Sequence, residues 1–295
     1  MGRLDMQIPV TTRGRTHPNH PRMRPRLISR AAAILPLIAI ISTAQDAAIL
    51  RNDGEPMRAG YACVEADLQW AGMACSEEDP CPIYLELSTV APDGRRIFVA
   101  GDLHGTSATL QSVMLMSDDG GATWREPTPR IRGAALDQMQ FGDAQHGWAA
   151  GETQYPLPRD PFFLITTDGG ATWRQQAIGE EGTAGAIQRF WFDSAQHGEL
   201  IIDAGKASEG GRYLSYESRT GGASWEIRGK SDRLPVIRGA PPMENPDVRL
   251  RTSKDGKSYQ VEKRAGEQWS SLASFLIEVA NCKIQPGQLK EPDPQ

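Results

Sequence analysis

The sequence predicts an all-β chain: a small β-propeller of four or five four-stranded blades. Three observations predict it. A Gly-Gly turn ending in tryptophan recurs at residues 120–124, 169–173 and 221–225, with its tryptophans 49 and then 52 residues apart. Phe141-Gly142-Asp143-Ala144-Gln145-His146-Gly147 returns as Phe192-Asp193-Ser194-Ala195-Gln196-His197-Gly198, 51 residues later. Val99-Ala100-Gly101 matches Ala149-Ala150-Gly151, 50 residues on. A unit of this period holds about four short strands, and one such unit makes one blade.

The turn has a physical reading. Gly120-Gly121, Gly169-Gly170 and Gly221-Gly222 supply positive φ at no steric cost. Asp119 and Asp168 precede the first two pairs and can accept bonds from the turn's own N–H groups. Thr123-Trp124 and Thr172-Trp173 then begin a returning strand, where β-branched and aromatic residues fit. The indoles of Trp124, Trp173 and Trp225 are large enough to bridge to a neighbouring sheet.

The pattern S/T-x-D-G-G-x-T-W resembles the Asp-box, or BNR, repeat of sialidases and many other propellers. With the preceding F-x-D-x-x-H-G-W-x-A-G, it is most similar to the photosystem II stability and assembly factor group. The resemblance runs from about Tyr84 to Trp225 and implies a propeller fold with box residues in structural roles. Two positions depart from it. Thr220 replaces the box aspartate of the third unit, and Glu199 replaces the tryptophan that stands at Trp148 in the second.

In chain order, residues 1–44 read as an N-terminal extension and signal peptide. Arg22, Arg24, Arg26 and Arg30 precede the apolar run Ala31–Ile41, and Ser42-Thr43-Ala44 offers a small-x-small cleavage site. The run has too few residues to span a bilayer about 30 Å thick. The expectation is an exported protein, periplasmic or secreted, with no integral span after cleavage. Seven arginines against one aspartate give this segment +6, so with −5 for the whole chain the remainder carries −11. So acidic a domain is a poor nucleic-acid binder.

Residues 45–284 form the propeller domain. Blade one starts with the hairpin Tyr84–Leu87 and Arg96–Ala100, blade two runs from Leu136 to Gln176, and blade three from Ile187 to Arg228. Past Arg228 the repeat weakens. Val248–Arg251, a worn box at Ser253–Tyr259, and strands at Gln268–Leu272 and Phe275–Ala280 read as a degenerate fourth blade. Residues 285–295 are a polar, Pro-rich tail of disordered type.

All four cysteines follow the leader, as suits an oxidising compartment. Three pairings are open. The favoured one clips Cys75 to Cys81 locally and joins Cys63 to Cys282, tying the ends of a fold that must close on itself. The spacings carry no metal signature, and no cofactor is called for.

The sialidase resemblance would imply an arginine cluster, a tyrosine nucleophile and a carboxylic acid. The F/Y-R-I-P signature of those enzymes is absent, and Pro129-Arg130-Ile131-Arg132 does not match it. No catalytic residues are assigned. Arg125, Arg130, Arg132 and Arg159 are the one basic concentration in the acidic domain, lying among prolines in connecting loops. They are the binding candidates, for a protein partner or an anionic ligand. The reading is an exported, non-catalytic scaffold that binds protein. Its rival is a degenerate sialidase-like hydrolase or a glycan-binding propeller.

Overall fold

The structure, a computed structural model, describes residues 48–154, 157–205, 210–242 and 245–283. The leader and the tail expected from the sequence lie outside them. Among the described residues, no helix is long and apolar enough to cross a membrane.

The described residues begin with a short strand, β1 (Leu50–Arg51), and hold a single helix, α1 (Glu65–Trp70). Four antiparallel sheets follow as blades. Blade 1 holds β2 (Cys81–Asp93), β3 (Arg96–His104) and β4 (Thr109–Ser117), and β5 (Thr123–Trp124) leaves it to pair with β1. Blade 2 holds β6 (Ala134–Phe141), β7 (Gly147–Thr153), β8 (Arg159–Thr166) and β9 (Arg174–Ala177). Blade 3 holds β10 (Ala186–Phe192), β11 (Gly198–Asp203), β12 (Tyr213–Ser218) and β13 (Glu226–Ser231). Blade 4 holds β14 (Val248–Thr252), β15 (Ser258–Ala265) and β16 (Gln268–Leu276). A last strand, β17 (Glu278–Cys282), returns to blade 1 and pairs with β2.

That return corrects the sequence reading of Phe275–Ala280 as one strand of the fourth blade. The segment divides at Ile277: Phe275 belongs to β16, and Glu278 onward joins β2. The physical reason is closure, since β17 covers the edge of β2 that would otherwise stand unpaired. Cys282 stands opposite Cys81 in this ladder. Disulfides Cys63–Cys282 and Cys75–Cys81 fasten both neighbours of that pair, as the sequence suggested.

The first strands of blades 1, 2 and 3 each carry a bulge at the same place, beside Leu87, Leu136 and Ile187. A bulge bends and re-aims the strand that carries it. Gly101 lies opposite the first of these. A Cβ there would meet the Glu86 carbonyl oxygen at 1.8 Å, so the strands can approach only with glycine.

The Gly-Gly turns repeat in detail. Asp119 Oδ1 accepts the N–H of Ala122 and of Thr123, while the Thr123 hydroxyl donates to Oδ2. Asp168 accepts the Thr172 N–H and hydroxyl in the same way. Bonds to Thr123 hold the Asp119 carboxyl down at about 2, and bonds to Thr172 do the same for Asp168. In the third turn the Thr220 hydroxyl oxygen accepts the Ser224 N–H instead.

Three hydrophobic clusters join the blades. One combines blade 1 with blade 4 around Val99, Leu115, Trp124, Val261 and Phe275. The next joins blade 1 to blade 2 through Phe98, Met114, Leu136 and Leu164. The third joins blade 2 to blade 3 through Trp148, Phe163, Phe192 and Leu200. The blades therefore stack in the order 4, 1, 2, 3. Among the described residues no such cluster joins blade 3 to blade 4.

Candidate functional site

The end of the stack is written in one repeated position. Phe98, Trp148 and Glu199 stand at equivalent places on the second strands of blades 1, 2 and 3. Phe98 faces the next blade and meets Phe141, with ring centroids 4.6 Å apart. Trp148 meets Phe192 in the same way, and its indole also donates to the Gly221 carbonyl at 2.9 Å. Among the described residues, no aromatic ring packs beyond Glu199.

Among the described residues, no further blade packs on the outer face of blade 3. Alternation along β11 buries Leu200 and Ile202 toward blade 2 and places Glu199 and Ile201 on the other side. The segment after β13 runs beside this face. Its Pro235, Val236 and Ile237 share a cleft of about 260 Å³ with Glu199, Ile201 and Glu217. Ile201 and Ile237 are buried there, whereas Val236 is 82% and Leu234 52% exposed. Glu217 pairs with Arg219 at 2.8 Å and with Arg228, and these bonds hold its carboxyl below the usual range. The face is an apolar centre with a carboxylate and guanidinium rim.

The arginines that the sequence singled out are placed differently. Arg130 binds the Glu126 carboxylate and donates to the Gly60 carbonyl at 2.8 Å. Arg132 lies 2.7 Å from Asp67 Oδ1 of α1, an ion pair without the angle of a hydrogen bond. The same Asp67 accepts from Gln111 Nε2 and is buried. Arg130 and Arg132 thus meet around α1 and the Gly60–Tyr61 segment. Burial and Asp67 push the Tyr61 hydroxyl there up to about 12. Arg125 joins the Met116 backbone, and Arg159 begins β8 with its guanidinium 3.8 Å from Asp160. The structure brings two of the four together.

Sequence reasoning missed a line of carboxyls. Asp102 and Glu152 occupy the same repeat position, directly after Gly101 and Gly151, and Asp203 is its third copy. Asp102 is 6% and Glu152 3% exposed. Burial, then Glu86 and Asp137, pushes Asp102 up to about 7. Burial, then Asp137, pushes Glu152 up as well. Asp203 is shifted the other way, because Arg212 binds it at 2.5 to 3.0 Å. The first two copies are covered by a following blade and the third is not. The repeat of an acid after a small-residue strand was the available signal.

His146 and His197 also repeat. Each holds an aspartate of its own turn, Asp143 at 2.9 Å and Asp193 at 2.8 Å. Among the described residues no group of three His, Cys, Asp or Glu side chains could hold a metal ion.

Compared with known proteins, the chain matches no protein-family profile and no curated protein. Solved structures similar to it include two of YCF48. One is YCF48 bound to a D1 peptide, at 18% identity, TM-score 0.35, covering 67% of this chain and 58% of that one. The other is YCF48 from Cyanidioschyzon merolae, at 13% identity, TM-score 0.31, covering 65% and 50%. The chain therefore spans 58% of the length of the first and 50% of the second.

Proposed function

We propose that this chain is an exported, non-catalytic propeller that binds protein as an assembly scaffold, with the uncovered face of blade 3 as its docking surface. The observation that carries the reading is Glu199 standing where the preceding blades place Phe98 and Trp148. A blade face that ends in a carboxylate over a partly covered apolar centre suits a partner that is bound and released. Exposed Val236 and Leu234 supply apolar contact, and Glu217 with Arg228 supplies a polar rim. The turn carboxylates Asp119 and Asp168 are engaged by their own backbone, which accounts for them without chemistry. The resemblance of these turns to the Asp-box belongs to the same proposal. Arg125, Arg130, Arg132 and Arg159 enter it as secondary contacts for acidic side chains. Arg132 and Arg159 carry that part, with side chains 53% and 49% exposed.

The test is affinity capture from extracytoplasmic extract with wild type and with Leu234→Asp/Val236→Asp. The expected result is loss of a captured protein in the variant with an unchanged melting temperature. Turnover of a glycoside by the purified chain, abolished by replacing one carboxylate, would overturn the reading in favour of the hydrolase.

A further inference from the structure

The stack of blades 4, 1, 2 and 3 ends in two sheet faces, and the two differ in charge. On blade 4, Val248 and Leu250 pack into the cluster shared with blade 1, so alternation along β14 puts Arg249 and Arg251 on the outer side. Glu262 of β15 stands opposite Arg249 and accepts its Nε–H at 2.7 Å. The Arg249 guanidinium also lies over the Trp269 ring, 4.1 Å from its centroid. Arg251 is exposed, and among the described residues its side chain has no ion pair or hydrogen bond.

Blade 3 ends in the opposite sign. In its ladder Glu199 stands between Trp191 of β10 and Glu217 of β12. Like charges directly opposite each other on neighbouring strands repel. Arg219, Arg228 and His197 compensate Glu217. Among the described residues no cation reaches the half-buried Glu199.

The register relates the two ends. At the junctions inside the chain, Phe98 and Trp148 each meet the last residue of the next blade's first strand, Phe141 of β6 and Phe192 of β10. Glu199 is the next member of that series. The matching end of β14 is Arg251-Thr252, and of these two Arg251 is on the outer side. A blade 4 packed on blade 3 would therefore set Arg251 against Glu199, an ion pair where the other junctions have two rings. Within one chain that contact is not made: among the described residues no hydrophobic cluster or ion pair joins the strands of blade 3 to those of blade 4.

We propose that a second copy of this chain makes it, the outer face of blade 3 in each copy seating on the outer face of blade 4 in the other, with Glu199 against Arg251. Two such contacts related by a twofold axis close a ring from two sets of four blades and leave neither end open. Exposed Leu234 and Val236 add apolar contact on one side, and the Arg249–Trp269 stack adds the kind of anchor that interfaces favour on the other. The inference rests on the reading of blade 3's outer face as a docking surface and names its occupant.

The experiment is the molar mass of the purified chain in solution, by light scattering, for wild type, for Glu199→Arg, for Arg251→Glu and for an equal mixture of the two variants. Wild type is expected to be a dimer and each variant alone a monomer, since each opposes like charges at both contacts. The mixture is expected to recover the dimer, because both contacts then pair opposite charges again. Closure within one chain cannot give that rescue. A monomeric wild type, a dimer in both variants, or a mixture that stays monomeric overturns the proposal. If a variant does not fold, oxidation of Glu199→Cys chains mixed with Arg251→Cys chains decides instead, the four native cysteines being already paired. A disulfide joining one chain of each kind supports the dimer, and its absence overturns it. A monomeric wild type that still loses its captured protein through Leu234→Asp/Val236→Asp would remove the second copy and leave the docking surface standing.

Discussion

Trp148 of blade 2 lies flat on Phe192 of blade 3, with ring centroids 3.9 Å apart and planes 3° from parallel. Trp225 closes the same cluster from the Gly-Gly turn, edge-on to Phe192 at 5.7 Å. Phe98, Phe141 and Trp173 repeat the arrangement one junction earlier, with Trp173 edge-on to both rings. The repeated turn thus serves the packing between blades, and the aromatic triple is the unit that holds one blade to the next.

Trp148→Ala should therefore cost about 3–5 kcal/mol, the usual range for emptying a buried aromatic site. Trp148 is 1% exposed, so solvent cannot fill the gap without wetting Phe163 and Phe192. Denaturant unfolding measures the loss. A cost below about 1 kcal/mol would show that blade 3 does not depend on this stack.

The third turn offers a gain. Thr220 reaches Ser224 with a hydroxyl, where Asp168 reaches Thr172 with a carboxylate. Thr220→Asp should restore two charge-assisted bonds, to the Ser224 N–H and hydroxyl, and stabilise by up to about 1 kcal/mol at this exposed site. Asp168→Ala should cost about as much. Opposite shifts in the denaturation midpoint check the pair, and no change in either would remove the carboxylate from the account of the turn.

These residues also show what was legible in the sequence. Turns, strand order and blade span could be read because Gly-Gly-x-Thr-Trp imposes local geometry wherever it occurs. The substitution of Glu199 for tryptophan was visible, but its meaning was not, since only the stack shows that position facing the next blade. The return of β17 to β2 was hidden because strand pairing is a long-range event with no local signal. The surroundings of the arginines were hidden for a related reason: Arg132 pairs with Asp67, 65 residues away, and composition cannot report a partner. Asp102 and Glu152 were hidden because burial, not residue type, makes them unusual.

The two disulfides should differ in weight. Cys63–Cys282 closes a loop of sequence separation 219, and Cys75–Cys81 one of 6. Loop-closure entropy assigns about 5 kcal/mol to the first and about 2 kcal/mol to the second. Melting of Cys63→Ser/Cys282→Ser and of Cys75→Ser/Cys81→Ser compares them. A larger loss from the short clip would show that it anchors β2 in a way that chain entropy does not describe.

The turn carboxylates and the buried carboxyls pull stability in opposite directions with pH. Asp119 and Asp168 are held near 2, below their ordinary 3.8, so their contribution is present above that value and lost as pH falls toward 2. Both are exposed, and solvent screening keeps each effect small. Asp102, raised to about 7, acts on the other limb. The melting temperature should therefore peak between the two windows, near pH 4 to 5, and decline on both sides. Asp119→Asn/Asp168→Asn should flatten the acid limb alone, because an amide keeps an acceptor oxygen but cannot take up a proton in this range. Melting curves from pH 2 to pH 9 test this. A maximum at neutral pH, or an acid limb unchanged in the double variant, would mean that other groups govern the acid response.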